Sequence, residues 1–212
     1  NGAGKTTVFN VVTGVYPVTS GEMLLNGQSL SGKKRHEVTK MGLARTFQNV
    51  RLFGDMTALE NVLTATDVHK KTGLIRALFG TPLNRREERE SRQRALELLQ
   101  FMGIDHRADQ LAKNLPYGDQ RRLEIARALG TEPELILLDE PTNHLDVEGV
   151  AWLASHLNSR KSLAVLVITH DRWFLDAVTD RTWEVVGGKV EEYDGGYSAF
   201  VLAKAERARQ AN

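Results

Sequence analysis

Four short segments carry side chains suited to phosphate chemistry. Gly4-Lys5-Thr6 heads an apolar run, Val8, Phe9, Val11 and Val12. Glycines let backbone N–H groups approach a polyphosphate, and the positive end of a following helix adds to the attraction. A lysine there can reach the outer phosphates, and a threonine hydroxyl can meet Mg2+. The spacing fits the end of the pattern G-x-x-x-x-G-K-[ST], whose first glycine falls ahead of Asn1. Taken alone, the segment also fits a glycine-rich turn with a surface lysine. Asp139-Glu140 closes the apolar run Leu135-Ile136-Leu137-Leu138. One acid at a strand exit can hold Mg2+, and a second can take a proton from water. Two acids there also suit a helix start. His170 follows Thr169 after a further apolar run and can orient water or hydrogen-bond a terminal phosphate. A lone histidine in that place can equally cap a helix or sit in a core. Gln48 can touch Mg2+ or the attacking water, and alone says little.

The elements that must hold these residues read as α/β. A short buried helix follows Lys5 and stops at Gly14. Asn26-Gly27 between Met23-Leu24-Leu25 and Gln28-Ser29-Leu30 predicts a hairpin. Residues 41–48 read as a strand ending at Phe47-Gln48. From Thr57 to Leu129 the apolar period becomes helical: Leu59, Val62 and Leu63 share one face, and Ala95, Leu96, Leu98, Leu99 and Met102 another. The charged run Arg85–Arg94 reads as a solvated helix surface. Leu135–Leu138 and Leu163–Ile168 read as strands buried on both faces. Between them a helix turns Val147, Val150, Leu153 and Leu157 inward. Asp171 caps a helix carrying Trp173, Phe174 and Val178. Thr182–Val186 and Lys189–Tyr193 form a hairpin over Gly187-Gly188, and a helical tail starts at Tyr197.

Composition narrows the function classes. The 212 residues are 41% hydrophobic and 26% charged, the globular range. Lys and Arg number 28 against 27 Asp and Glu, so no global basic field points to nucleic acid. Cysteine is absent, which removes disulfides, thiol nucleophiles and cysteine-ligated zinc. Leu163–Ile168 is strand-sized and far short of a membrane span.

The order of the motifs adds what no single one gives. Phosphate loop, Gln48, helical stretch, Leu115-Pro116-Tyr117-Gly118-Asp119-Gln120, Asp139-Glu140 and His170 follow one another at workable spacings. That order resembles the nucleotide-binding domain of ATP-binding cassette (ABC) proteins over essentially the whole chain. The resemblance implies an α/β fold: a P-loop NTPase (RecA-like) core with an antiparallel β part and an inserted helical subdomain. It implies an α/β core over residues 1–56 and 130–192, a helical subdomain over 57–129 and a C-terminal helical tail over 193–212. It implies ATP and Mg2+ as ligands. Asn1, Gly2, Ala3, Gly4, Lys5, Thr6 and Thr7 would bind phosphates, with Thr6, Gln48 and Asp139 around the metal. Gln48 would be the Q-loop residue, Glu140 the general base and His170 the switch histidine. Leu115, Pro116, Tyr117, Gly118, Asp119 and Gln120 would be the signature segment, and Asn143-His144-Leu145-Asp146 the D-loop, with Asp146 near the nucleotide. Two cassettes would sandwich two ATPs head to tail. Pro116 departs from the family's signature serine, so that hydroxyl is missing. Proline suits a first helical turn, and the backbone N–H groups near Tyr117 and Gly118 remain.

Two stretches resemble different subfamilies. Ala44–Phe53, the insert around Thr72–Arg94 and Leu115–Leu129 are similar to the ATPase subunit of bacterial branched-chain amino-acid importers. Asp139–Asp146, Thr169–Leu175 and Glu192–Tyr197 resemble the ABC-F class of soluble, often ribosome-associated tandem cassettes. The pairing implies a mosaic whose first part covers residues 1 to about 138 and whose second covers about 139–212; one natural lineage is the alternative. The first resemblance implies an importer's energising subunit, with membrane permease subunits as partners, a cytoplasmic place at the inner face of the membrane and no insertion into it. The second implies a ribosome partner. The resemblance also implies that residues 1–212 alone bind ATP poorly and turn over little, and that about 30–40 upstream residues of family length restore both.

Overall fold

The computed structural model describes residues 4–66, 68 and 82–210. Asn1, Gly2 and Ala3 of the expected phosphate loop lie outside that set, as do residues 72–81 of the expected insert. The chain divides into two units, residues 1–34 with 137–212, and residues 35–136.

In the first unit Gly4 takes φ +82° and caps α1 (Lys5–Val12). This left-handed backbone is open to glycine without steric cost. The sequence suggests a buried helix here, but only Phe9 of α1 is buried and Val8 is 42% exposed. Neighbouring residues on a helix diverge by about 100°, so a short helix cannot bury both. β1 (Leu24–Leu25) and β2 (Gln28–Ser29) pair antiparallel. Asn26 and Gly27 both have positive φ, as a tight hairpin turn requires.

β4 (Leu135–Asp139) runs from the second unit into the first. It is the middle strand in the order β3-β4-β5, with β3 Leu43–Arg45 and β5 Ala164–Ile168. Ile136, Leu137 and Leu138 are fully buried, as their unbroken apolar run predicts. β5 reads as equally buried, yet its residues are exposed or half-exposed along its length. It stands last in that order, with β4 on one side.

α6 (Val147–Ser159) is capped by Asp146, whose Oδ1 accepts the Gly149 N–H at 2.8 Å. Val150, Leu153, Ala154 and Leu157 form its buried stripe. Val147, expected to point inward, is 86% exposed. It occupies the first helical position, one turn ahead of the stripe. α7 (Arg172–Val178) is capped by Asp171, which accepts the Phe174 N–H at 3.0 Å. It packs between α6 and α8 (Tyr197–Gln210). β6 (Arg181–Val186) and β7 (Lys189–Asp194) form the second hairpin, turned at Gly187-Gly188 with both φ positive. α8 lies on β7, where Phe200 meets the Tyr193 ring edge-on at 5.0 Å.

The second unit holds α2 (Arg35–Lys40), β3, α3 (Ala58–Thr66), α4 (Pro82–Phe101) and α5 (Tyr117–Leu129). α3 packs on α4 and on α5. Its start is a reciprocal cap. Thr57 N–H donates to Glu60 Oε2 at 2.7 Å, and Glu60 N–H donates to Thr57 Oγ1 at 3.1 Å. These bonds hold the Glu60 carboxyl below its usual range. Ser91, Ala95 and Leu99 form the buried stripe of α4, which buried Met102 continues just past its end, while Arg86 and Glu90 pair on its exposed face at 2.8 Å.

The strand read at 41–48 is shorter than expected. β3 ends at Arg45, and Phe47 and Gln48 lie beyond it. Side chains take over from ladder bonds there. Asn61, fully buried on α3, accepts the Phe53 N–H at 2.9 Å and donates to Phe53 O at 3.0 Å and Thr57 O at 2.9 Å. It fixes the far end of the segment that carries Gln48.

Candidate active site

Each unit carries part of the expected site. In the first unit, Lys5, Thr6 and Thr7 make the exposed first turn of α1. No acidic residue occupies that turn and no side chain caps it. The first N–H groups of a helix have no partner within it. Beside the Lys5 ammonium they form a place for an anion, strengthened by the helix dipole.

Asp139 and Glu140 leave the end of β4. Asp139 is buried. Glu140 N–H donates to Ile168 O at 2.7 Å, which carries the β4–β5 pairing to the strand tips. That pairing brings His170 to Glu140. The ring Nδ1 of His170 lies 2.9 Å from Glu140 Oε2, and the His170 backbone N–H donates to the same oxygen at 3.3 Å. A carboxylate accepts only, so Nδ1 carries the proton and Nε2 is left for another partner. The His170 side chain is 78% exposed and that of Glu140 19%. The histidine can therefore meet a ligand while the carboxylate stays partly shielded.

The backbone around Glu140 is unusual. Glu140 and His144 both take left-handed φ, +49° and +64°. Non-glycine residues seldom do so, and such positions gather at functional sites. Thr142 and Thr169, whose roles the residue pattern does not signal, tie the two strand exits together through hydroxyls 3.2 Å apart. Thr169 Oγ1 also accepts the Asp171 N–H at 3.1 Å. Asp146 is committed through Oδ1 to capping α6.

The second unit holds Gln48, which is exposed, and the segment 115–120. Pro116 is the N-cap of α5 rather than a residue of its first turn, with φ −54° and ψ 148°. Proline before a helix costs no helical N–H, so the substitution leaves the helix start intact. Leu115 is buried and Tyr117 exposed. The side chains of Asp119 and Gln120 are engaged in their own unit. Asp119 Oδ2 pairs with Arg107 Nε at 2.7 Å, and Gln120 Nε2 donates to Leu115 O at 2.9 Å.

Among the described residues no cluster of three or more His, Asp or Glu is built to hold a metal. Thr6 supplies a hydroxyl and Asp139 a carboxylate. Such a sparse oxygen set fits Mg2+, which is bound by one or two protein oxygens with phosphates and waters completing its shell.

The ABC transporter family model matches residues 1–143. The chain belongs to the ABC transporter family. LivG of Escherichia coli (strain K12), a high-affinity branched-chain amino acid transport ATP-binding protein, is 44% identical over 191 residues, 89% of this chain and 75% of LivG. The ATP-binding protein ChvD of Rhizobium radiobacter is 47% identical over 102 residues, 48% of this chain and 35% of ChvD. The dimeric structure of MJ0796, a bacterial ABC transporter cassette, overlays with a TM-score of 0.76 at 28% identity, covering 92% of this chain and 82% of that one. The cassette is thus a P-loop NTPase of mixed α/β fold and an ATP hydrolase of the ABC type. No helix among its described residues is long and apolar enough to cross a membrane.

Proposed function

We propose that the cassette energises an importer of the branched-chain amino-acid type, cleaving ATP with Glu140 as base and His170 as phosphate sensor. The observation that carries the chemistry is the contact of His170 Nδ1 with Glu140 Oε2 at 2.9 Å. In this reading Lys5 and the first N–H groups of α1 hold the phosphates. Glu140 takes a proton from water as its oxygen bonds the γ-phosphorus. The bond from that phosphorus to the bridging oxygen breaks, and ADP departs with the electron pair. His170, held by Glu140 through Nδ1, directs Nε2 to a γ-phosphate oxygen. Thr6 and Asp139 would hold Mg2+, which would supply neutralisation of phosphate charge. Gln48 and Asp146 meet the water, metal or nucleotide, and the 115–120 segment meets the nucleotide of a second cassette. The α/β core of residues 1–56 and 130–192 then does the chemistry. The helical subdomain of 57–129 docks on membrane permease subunits, at the inner face of the membrane.

The likeness to LivG, which runs through most of the chain, supports the importer role. A second reading makes the chain a mosaic whose latter part is ABC-F in kind. The Asp139–Asp146 and Thr169–Leu175 stretches favour it. Cell fractionation separates the two. The importer role predicts that the tagged protein sediments with inner membranes when permease subunits are co-expressed, and leaves ribosomes bare. Sedimentation with ribosomes and none with membranes would reverse the assignment.

A further inference from the structure

The segment 45–53 carries Gln48 at its middle, and α5 grips it on both flanks. Glu124 Oε1 accepts the N–H of Phe47 at 3.2 Å and of Arg51 at 3.4 Å. Arg121 Nη1 donates to Phe47 O and to Glu124 Oε2, each at 2.5 Å. Arg127 Nη2 donates to Arg51 O. The guanidiniums of Arg45 and Arg51 lie 5.0 Å and 4.6 Å from the centre of the Phe47 ring. The Arg121 and Glu124 side chains are only 1% and 2% exposed.

A buried ion pair is a poor source of stability, because desolvating both charges offsets most of their attraction. Burial indeed pushes the Glu124 carboxyl up despite the neighbouring Arg121. What the pair provides is position. A cavity of about 240 Å3 borders the same segment, lined in part by Arg45, Phe53, Glu124 and Arg127. Open space borders the segment beside Arg45 and Phe53, and hydrogen bonds hold the backbone between them. One carboxylate bridges the residue before Gln48 and the third residue after it.

We propose that Glu124 and Arg121 are positioning residues for ATP cleavage, locking the backbone on both sides of Gln48 to the helix that opens at Tyr117. Any shift of α5 then carries Gln48 with it. The inference rests on the reading of Gln48 as a residue that meets the reacting water or metal.

The test pairs turnover with amide exchange in the full-length protein. With Glu124→Ala, kcat for ATP falls about 10- to 100-fold while KM moves less than about threefold, the effect of a misplaced group. Exchange at the Phe47 and Arg51 amides speeds up about tenfold or more. Glu124→Gln, which keeps the acceptor oxygen, recovers most of both. In a Gln48→Ala background, Glu124→Ala brings no further drop in kcat. Multiplying losses in that background, or unchanged exchange at Phe47 and Arg51, overturns the proposal. A Gln48→Ala variant with full turnover and faster exchange on Glu124→Ala removes the Gln48 reading and with it the link to cleavage, and leaves only the grip of Glu124 on the segment. Should Glu124→Ala not fold, Arg121→Met with Glu124→Leu replaces the pair by apolar groups, a change buried pairs tolerate. The same exchange and kcat losses are expected of it.

Discussion

Glu140→Gln leaves ATP bound and stops its cleavage: turnover falls about 10²- to 10⁴-fold, the usual worth of a general base. The change removes charge and little else. A glutamine oxygen still accepts the Nδ1–H of His170 and the backbone N–H that now reach Glu140 Oε2 at 2.9 and 3.3 Å. The fold of the strand exits therefore persists, and so does the nucleotide binding proposed for α1. With binding intact and cleavage blocked, an ATP-bound dimer should accumulate. Size-exclusion chromatography with Mg-ATP would show it as a larger species beside the unchanged apo protein. Turnover at the wild-type rate would remove Glu140 from the base's role.

Lys5→Ala acts on the other half of the chemistry. Among the described residues the first turn of α1 has no acidic residue and no side-chain cap, so the ammonium and the helix-start N–H groups face an anion there. A hydrogen bond to a charged group contributes about 1.5–3 kcal/mol, so the Kd for ATP rises roughly 10- to 150-fold. Thermal stability should stay near wild type, because Lys5 is exposed and buries nothing. Titration calorimetry reads the affinity. Equal affinity in the variant would move the phosphate site elsewhere.

Local signals carried much of this structure. Asn26-Gly27 and Gly187-Gly188 turn the hairpins, Asp171 caps its helix, and Leu135–Leu138 is the buried central strand. Each of these rests on neighbours within a few residues. Failures occurred where distant chain decides. The strand read at 41–48 ends at Arg45, and the residues past it are held by side chains of Asn61, Arg121 and Glu124. Nothing in a local apolar pattern reveals that exchange. β5 has the composition of a buried strand and stands last in its order. Val147 continues a helical stripe by spacing but falls beyond the packed turns.

The site shows the same division. Lys5, Glu140 and His170 stand out in the sequence as candidates through the order of their motifs, since each alone has a plain structural alternative. The meeting of His170 with Glu140 was not legible, since it follows from β4 and β5 being neighbours and from the left-handed turn at Glu140. The hydroxyl pair of Thr142 and Thr169 likewise needs both strand exits in place before it has meaning.

Single-turnover hydrolysis of Mg-ATP by the full-length protein in water enriched in 18O tests most directly whether the cassette directs water at the γ-phosphorus, the step proposed for Glu140 and His170. One 18O atom should appear in the released phosphate and none in ADP. Label in ADP, or no phosphate release by protein with ATP bound, would contradict it.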